Sequence, residues 1–468
     1  MGKLSISKTR EIIDDFALEI QKRKVIGKPP IRDVINFRNE LRDGIEREIW
    51  YIPVGLLRYR KDNGRISSDV LDYEKSHGLL NETSEEAQKK IEFFLREKDK
   101  EKTKELTQAI QHEGQREPAI ITCDGFLING NRRKMVMESL SKKDPGNPKF
   151  NLMKVIILPG KNDVGGPPTL VEIEQIENRY QLQSEAKAEY YAFDRALSMR
   201  RKIELGMSLD AQLRDDPIYS GLPQRDFKKA VRKFEDEYLK PLECVDRYLQ
   251  QLQREDLYST VSTGLGDPEG RWQAFLDYYK FVYQKLIDEK KRIKIGVNED
   301  EIGKVECVAF RIIRKRTFPN LPKAHEIMRN LSKCLENRDA KKELLKIIDI
   351  ERDIPKHEKI SADGKEYNER QIDEIWGKKH APMLIAQVKK ALTYVQYDKE
   401  QEAPLELLEI ALKKLNHENL NIKNVRLSDM SKAMELARKI QERASTLESE
   451  FYNCQKDYKK NLKEKFKH

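Results

Sequence analysis

Cysteine is scarce. Cys123, Cys244, Cys307, Cys334 and Cys454 are the only five in 468 residues, odd in number, scattered and without CxxC spacing. That excludes a disulfide framework or a zinc site and points to a reducing compartment. The seven histidines form no HxxxH or HExxH pattern, so the common zinc-protease signature is missing. No apolar run approaches the length of a bilayer span, and Met1-Gly2-Lys3-Leu4-Ser5-Ile6 has no apolar core of a signal peptide. The expectation is a cytoplasmic protein without a membrane partner.

Charge is abundant. Charged residues make up 36% of the chain and the apolar set 38%, polar for a globular protein but not the composition of a disordered one. A largely helical protein with long solvated faces satisfies those numbers. The net charge of +10 is small against 90 basic residues, so it permits a nucleic-acid partner without requiring one.

Ile12, Ile13, Phe16 and Ile20 fall at helical spacing within 8–24, and residues 49–54 (IWYIPV) form a strand pattern. Residues 64–86 look polar and irregular. A helix over 101–113 places Leu106, Ala109 and Ile110 on one face and ends at Gly114. Residues 119–122 and 126–128 are two short β-type runs around Cys123-Asp124-Gly125, a tight-hairpin signal. Gly130-Asn131-Arg132-Arg133 then opens a helix carrying Met135, Val136 and Leu140, followed by a strand over 151–158 and a loop over 160–168. From Leu170 onward the pattern is almost wholly helical, with no internal repeat.

The last helix has an apolar seam: Met430, Ala433, Ala437, Ile440, Ala444, Leu447, Phe451, Cys454 and Tyr458 alternate strictly at 3,4 spacing. A period of 3.5 over about four heptads is the coiled-coil signature, and six lysines follow between 456 and 467. Such a seam calls for a helical partner. The alternatives are an intramolecular helix such as 405–415 or the same helix in a homodimer, and the alanines at 433, 437 and 444 favour the close intramolecular pair.

A strand, a tight turn and a glycine entering a helix make an anion site, because the first helical N–H groups lack backbone partners and the helix dipole is positive there. Arg132 and Arg133 add charged forks suited to phosphate. The alternative is a solvated basic first turn.

These residues carry a resemblance. The run Leu106-x3-Ile110-x3-Gly114-Gln115-x2-Pro118, then Asp124-Gly125, then Ile128-x-Gly130-x-Arg132-Arg133 is similar to the N-terminal domain of ParB partition proteins, in the ParB/sulfiredoxin-like superfamily. Ile52-Pro53-Val54 with Asn63-Gly64-Arg65 is similar to that family's first strand and its Arg-rich box. Ile176-Glu177-Asn178-x2-Gln181-Leu182 is similar to its third box. The similarity covers residues 46–195. It implies that Gly114, Gln115 and Pro118 cradle a nucleobase, that Gly130, Asn131, Arg132 and Arg133 form the triphosphate clamp, and that Glu177 and Asn178 hold Mg²⁺ and support hydrolysis of CTP or ATP. Asn131 replaces the family's glutamate, and it also occupies the place of the cysteine that sulfiredoxin chemistry needs.

Residues 209–235 contain a candidate helix-turn-helix whose second helix presents Arg225, Lys228, Lys229, Arg232 and Lys233, either to DNA or merely to solvent. Gly264-x-Gly266-x3-Gly270 lies between helical segments and reads as a loop. Residues 310–316 (FRIIRKR) fit a half-buried helix with basic flanks or a nucleic-acid contact. Glu172, Glu174 and Glu177, spaced i, i+2, i+5, do not share one helix face.

The expected architecture is α+β: an N-terminal helical segment (1–45), a ParB-like nucleotide-binding domain (46–169), a helical region (170–260), a helical domain (261–427), and a coiled-coil-like helix with a basic tail (428–468). The expected function is a Mg²⁺-dependent triphosphate switch acting on DNA. Its setting would be a partition, DNA-modification or phage-defence system, with a protein partner reached through the helical C-terminal half. A ParB-like nuclease and a non-catalytic adaptor are the alternatives.

Overall fold

The structure, a computed structural model, describes residues 8–465 apart from 36, 39–44, 99, 183–191, 263–270, 361–363, 365 and 419. The fold is mixed α+β, mostly helical around a small sheet. Two compact units divide the chain, Met1–Val395 and Gln396–His468.

In the first unit the strands are β1 (Val25–Ile26), β2 (Arg32–Ile35), β3 (Ile45–Glu48), β4 (Trp50–Pro53), β5 (Ala119–Ile121) and β6 (Leu152–Ile157). β1, β4, β6 and β5 form one sheet in that order, while β2 and β3 pair separately as an antiparallel hairpin that the sequence pattern did not reveal. β4 runs antiparallel to β6, with Ile52 opposite Met153. β5 runs parallel to β6, with Ala119 opposite Val155.

Side chains alternate across a strand, and the central strands bury both faces. Ile52, Ala119, Ile121, Met153 and Val155 look into one core with Ile91, Phe94, Met135, Val136 and Leu140 from the helices Glu85–Lys98 and Asn131–Lys143. Ile120 and Ile156 look into the other, which Ile173 and Ile176 of the helix Leu170–Leu182 close. Near-continuous apolar strands of this kind need a layer on each side. The segment 64–86, expected to be irregular, contains the helix Ser67–His77.

Most helices between Ala192 and Val395 share one large core, while those over 209–234 pack in a smaller cluster of their own. Phe193, Val245 and Tyr248 belong to it together with Trp272, Phe310, Met328, Trp376 and Val388. The expected division at 260/261 therefore runs through a continuous core. The other expected boundary, 427/428, lies instead at 395/396, inside the long helix Ala381–Leu415.

In the second unit, the remainder of that helix and the helix Met430–Lys465 are joined by 416–429. The expected burial of the seam within the chain is not found. Ile440 is 46% exposed and Phe451 48%, and Leu405, Leu408 and Leu412 of the expected partner segment are exposed as well.

Candidate functional site

The hairpin forms as its residues require. Thr122 N donates to Phe126 O at 2.9 Å and Ile128 N to Ile120 O at 2.9 Å, and Gly125 takes φ +84° at the turn. Asp124 is fully buried and serves the chain. Its carboxylate accepts from Thr122 Oγ1 at 2.6 Å, from Ile13 N at 3.1 Å and from Arg10 Nη1 at 2.8 Å, tying the N-terminal segment to the turn.

Gly130 is the N-cap of the helix Asn131–Lys143, at φ +85° and ψ 10°. Gly130 brings no side chain to cap this helix, and the amide groups of a first helical turn are suited to an acceptor from outside the helix. A Cβ at Gly130 would stand 2.8 Å from Ala119 Cβ, so packing alone also demands glycine. Asn131 is buried, and its Oδ1 makes no hydrogen bond among the described residues. Arg132 sits half-buried in the first turn. Arg133 folds back: Nη1 donates to Glu117 O and, at 3.3 Å, to Pro118 O. Burial pushes its guanidinium below the ordinary value, while Glu117 and Tyr180 pull the other way.

The proposed base-cradling loop is held just as firmly. Gly114, at φ +79°, ends the helix Lys100–Glu113, and Lys149 Nζ caps that end through Gln111 O and His112 O at 2.8 and 2.9 Å. Gln115 clamps β6. Its Nε2 donates to Lys154 O at 2.8 Å, and its Oε1 accepts from Lys154 N at 2.6 Å. Both ends of the amide are thus used by backbone.

Glu177 and Asn178 lie on the helix Leu170–Leu182, whose Tyr180 reaches the field of Arg133. Both belong to a buried charge cluster. Glu177 Oε1 accepts from Gly64 N at 3.2 Å and Oε2 lies 3.7 Å from Arg60 Nη2, which also pairs with Glu174 at 3.1 Å. Arg201 bridges Asp62 at 2.9 Å and Glu174 at 3.7 Å. Asn178 Oδ1 accepts from Lys202 Nζ at 3.1 Å, and its Nδ2 donates to Gln212 O at 3.0 Å. Lys202 is 2% exposed, and burial pushes its ammonium down. Burial, with Glu177 beside it, pushes the Glu174 carboxyl up. Three cations (Arg60, Arg201, Lys202) therefore meet three carboxylates (Asp62, Glu174, Glu177). Glu172 points elsewhere, accepting from Arg38 Nε at 3.1 Å. Among the described residues no three His, Cys, Asp or Glu side chains gather as a metal site.

The structure thus brings Gly130, Asn131, Arg132 and Arg133 together at one helix mouth, with Pro118 and Gln115 beside it through Arg133 and β6. It places Glu177 and Asn178 in the cluster, where sequence reading missed Arg60, Asp62, Arg201 and Lys202. No local signal marks these four, because their partners stand more than twenty residues away along the chain.

Arg225, Lys228, Lys229 and Arg232 are all exposed on the helix Gln224–Phe234, which buries Phe227 and Phe234 against Leu209, Leu213 and Met199. The preceding helix is Leu209–Arg214, and an extra short helix, Pro217–Ser220, lengthens the connection. The glycine-rich loop at 264–270 and the side chains of Gln181 and Leu182 lie outside the described residues. No described helix is long and apolar enough to cross a membrane. No protein-family model, curated protein or solved structure matches the chain.

Proposed function

We propose that this protein is a ParB-like nucleotide switch that binds CTP or ATP at Gly130–Arg133 and changes its grip on DNA. The observation that carries the reading is the mouth of the helix Asn131–Lys143. It is a helix N-terminus behind a buried strand, opened by a left-handed glycine that brings no side chain to cap it, with Arg132 in the first turn. Those groups suit a phosphate.

The switch would run through the helix Leu170–Leu182. A Mg²⁺-triphosphate that engaged Glu177 or Asn178 would draw them from Arg60 and Lys202, and so loosen the joint between the sheet and the helices carrying Arg225, Lys228, Lys229 and Arg232. A partition, DNA-modification or phage-defence role follows from the resemblance. One observation favours the adaptor reading, in which the pocket is only structure: Gln115, Arg133, Glu177 and Asn178 already have intrachain partners.

Calorimetry separates the two. Triphosphate binding that falls in Arg132→Ala by about 1.5–3 kcal/mol, the range for a hydrogen bond to a charged group, supports the switch, and an unchanged affinity removes it. Charge reversal at Arg225, Lys228 and Arg232 should weaken DNA binding and flatten its salt dependence, since fewer counterions are released. Unaltered DNA binding would discard that helix as the reader.

A further inference from the structure

The basic run 310–316 plays no part in the reading above, yet it lines a cavity in the helical core. The helix Ile302–Lys315 buries Phe310, Ile312, Ile313 and Arg314. Arg314 is 2% exposed, stacks 4.4 Å over the Trp376 ring and donates from Nε to Asp373 Oδ1 at 2.8 Å. Asp373 takes Arg254 at 2.8 Å and Arg271 at 3.0 Å as well. Burial disfavours that carboxylate, but Arg271, Arg314 and Arg254 outweigh it and hold its pKa down.

The three guanidiniums share Asp373, and two further carboxylates balance them: Glu369 on Arg254 and Asp353 at 4.0 Å from Arg314. Arg311, one turn before Arg314, has no carboxylate within 4 Å among the described residues, and its Nη1 donates to Ile347 O at 2.9 Å. Arg352 reaches across to Gln253 Oε1 at 2.9 Å. Between them lies a cavity of about 340 Å³, lined by Arg311, Arg314, Arg352, Tyr248, Phe310 and Trp376, with Gln250–Gln253 along one wall. Among the described residues, two buried groups on this lining make no hydrogen bond: Tyr248 Oη and Arg314 Nη2, the latter 4.0 Å from Asp353 Oδ1.

We propose that this cavity binds a phosphate monoester carrying a planar ring, of mononucleotide size. Arginine forks match the phosphate geometry, the aromatic wall suits the ring, and the volume lies in the range of small-ligand pockets. The site does not depend on the Gly130 reading.

Calorimetry of the full chain with AMP, ribose 5-phosphate, inorganic phosphate and adenosine tests it. AMP should bind most tightly, the two ringless phosphates less tightly, and adenosine least. Arg311→Gln and Arg352→Gln, both outside the Asp373 hub, should each weaken AMP about tenfold or more. Arg132→Ala should leave AMP binding at this site unchanged. Equal AMP affinity in both glutamine variants, adenosine binding as well as AMP, or no AMP binding at millimolar concentration overturns the proposal.

A second inference rests on the exposed seam of the helix Met430–Lys465. Its heptads are tapered: alanine holds 433, 437 and 444, whereas Leu447, Phe451 and Tyr458 come later. In a parallel pair like meets like, so Ala437 and Ala444 would face their own copies across gaps while Phe451 and Tyr458 collide. Run antiparallel about residues 445–446, the same helix sets Ala433 against Tyr458, Ala437 against Cys454, Ile440 against Phe451 and Ala444 against Leu447. Large then faces small in two of these four layers, Ala433 with Tyr458 and Ala444 with Leu447, and no layer sets two alanines or two of the large aromatic rings against each other. Arg443 also comes beside Glu450 of the second copy.

We infer that the seam is covered by a second copy of this chain, antiparallel. Cys454 is exposed, while Cys123, Cys244 and Cys334 are buried, so mild oxidation reads the arrangement directly. Ala437→Cys in the full chain should give an intersubunit disulfide to Cys454. The two sites are about 26 Å apart along one helix, too far to join within it. Wild type should not crosslink through Cys454. A Cys454–Cys454 crosslink in wild type would show a parallel pair. A monomer by analytical ultercentrifugation, without an Ala437→Cys crosslink, would show that the seam packs elsewhere or stays bare. Either result overturns the inference.

Discussion

Gly130 offers a measurement in which packing and ligand binding make different predictions. Alanine at 130 would have to hold φ +85°, a left-handed backbone that costs an L-residue about 1–2 kcal/mol. Its Cβ would also stand 2.8 Å from Ala119 Cβ and 3.2 Å from Met153 Cε. The methionine tip can swing aside, but Ala119 lies on β5, paired to β6, and cannot. Overpacking of this kind costs about 1–3 kcal/mol, so Gly130→Ala should lose about 2–5 kcal/mol without any ligand present. Adding Ala119→Gly removes the blocking methyl and should return the overpacking share, at a strand cost of about 0.5–1 kcal/mol. The two changes should therefore couple by at least 0.5 kcal/mol, the lower edge for residues in contact. Urea midpoints of the wild type, both single variants and the double variant give the coupling, provided that the slopes agree. A Gly130→Ala chain as stable as wild type, or additivity with Ala119→Gly, refutes the packing argument and leaves a ligand as the reason for glycine.

Two further outcomes follow from buried charge. Glu177→Ala leaves Arg60 with one fewer carboxylate in a dry cluster and should destabilise the fold by about 3–5 kcal/mol, whereas a residue serving only an absent metal would melt unchanged, which thermal unfolding distinguishes. Asp72 accepts from Ser259 N at 2.8 Å, and burial raises its carboxyl from 3.8 to about 7. Between those values the folded chain keeps a proton that the unfolded chain has lost, so this group's stability is present at low pH and lost as pH rises toward 7. Asp72→Asn should remove that slope and add up to roughly 4 kcal/mol above pH 7. Urea melts at pH 5 and pH 8 check it, and equal pH dependence in wild type and variant would contradict it.

The parts of this molecule legible from sequence are the ones built by neighbours. Residues 119–143 announce strand, turn, glycine and helix because each is set by local backbone preference, and the hairpin hydrogen bonds follow. The β2–β3 hairpin escaped notice because RDVI and IERE carry too few apolar residues to show a period of two. The seam at 430–458 was plain in its spacing, but spacing names no partner, and the intramolecular one at 405–415 leaves its leucines exposed. The sequence does not show that Glu177 stands beside Arg60, because the two are more than a hundred residues apart along the chain. The arginines that converge on Asp373 come from positions 254, 271 and 314, a meeting that only tertiary packing arranges.

The balanced cluster around Glu177 also bears on how freely this chain could exchange parts with others. Arg60 and Asp62, from the loop after β4, cancel each other. The helix Leu170–Leu182 contributes Glu174 and Glu177, and the helix Ala192–Glu204 contributes Arg201 and Lys202. A break in the chain between those two helices would leave two surplus carboxylates on one fragment and two surplus cations on the other, each where water is meant to be excluded. Neither fragment could be passed alone to a new host without first rewriting that surface. The sheet and the first helices after it are therefore tied as a single unit of inheritance, and a recombination event or an engineered fusion that respects this molecule would have to cut outside 60–202.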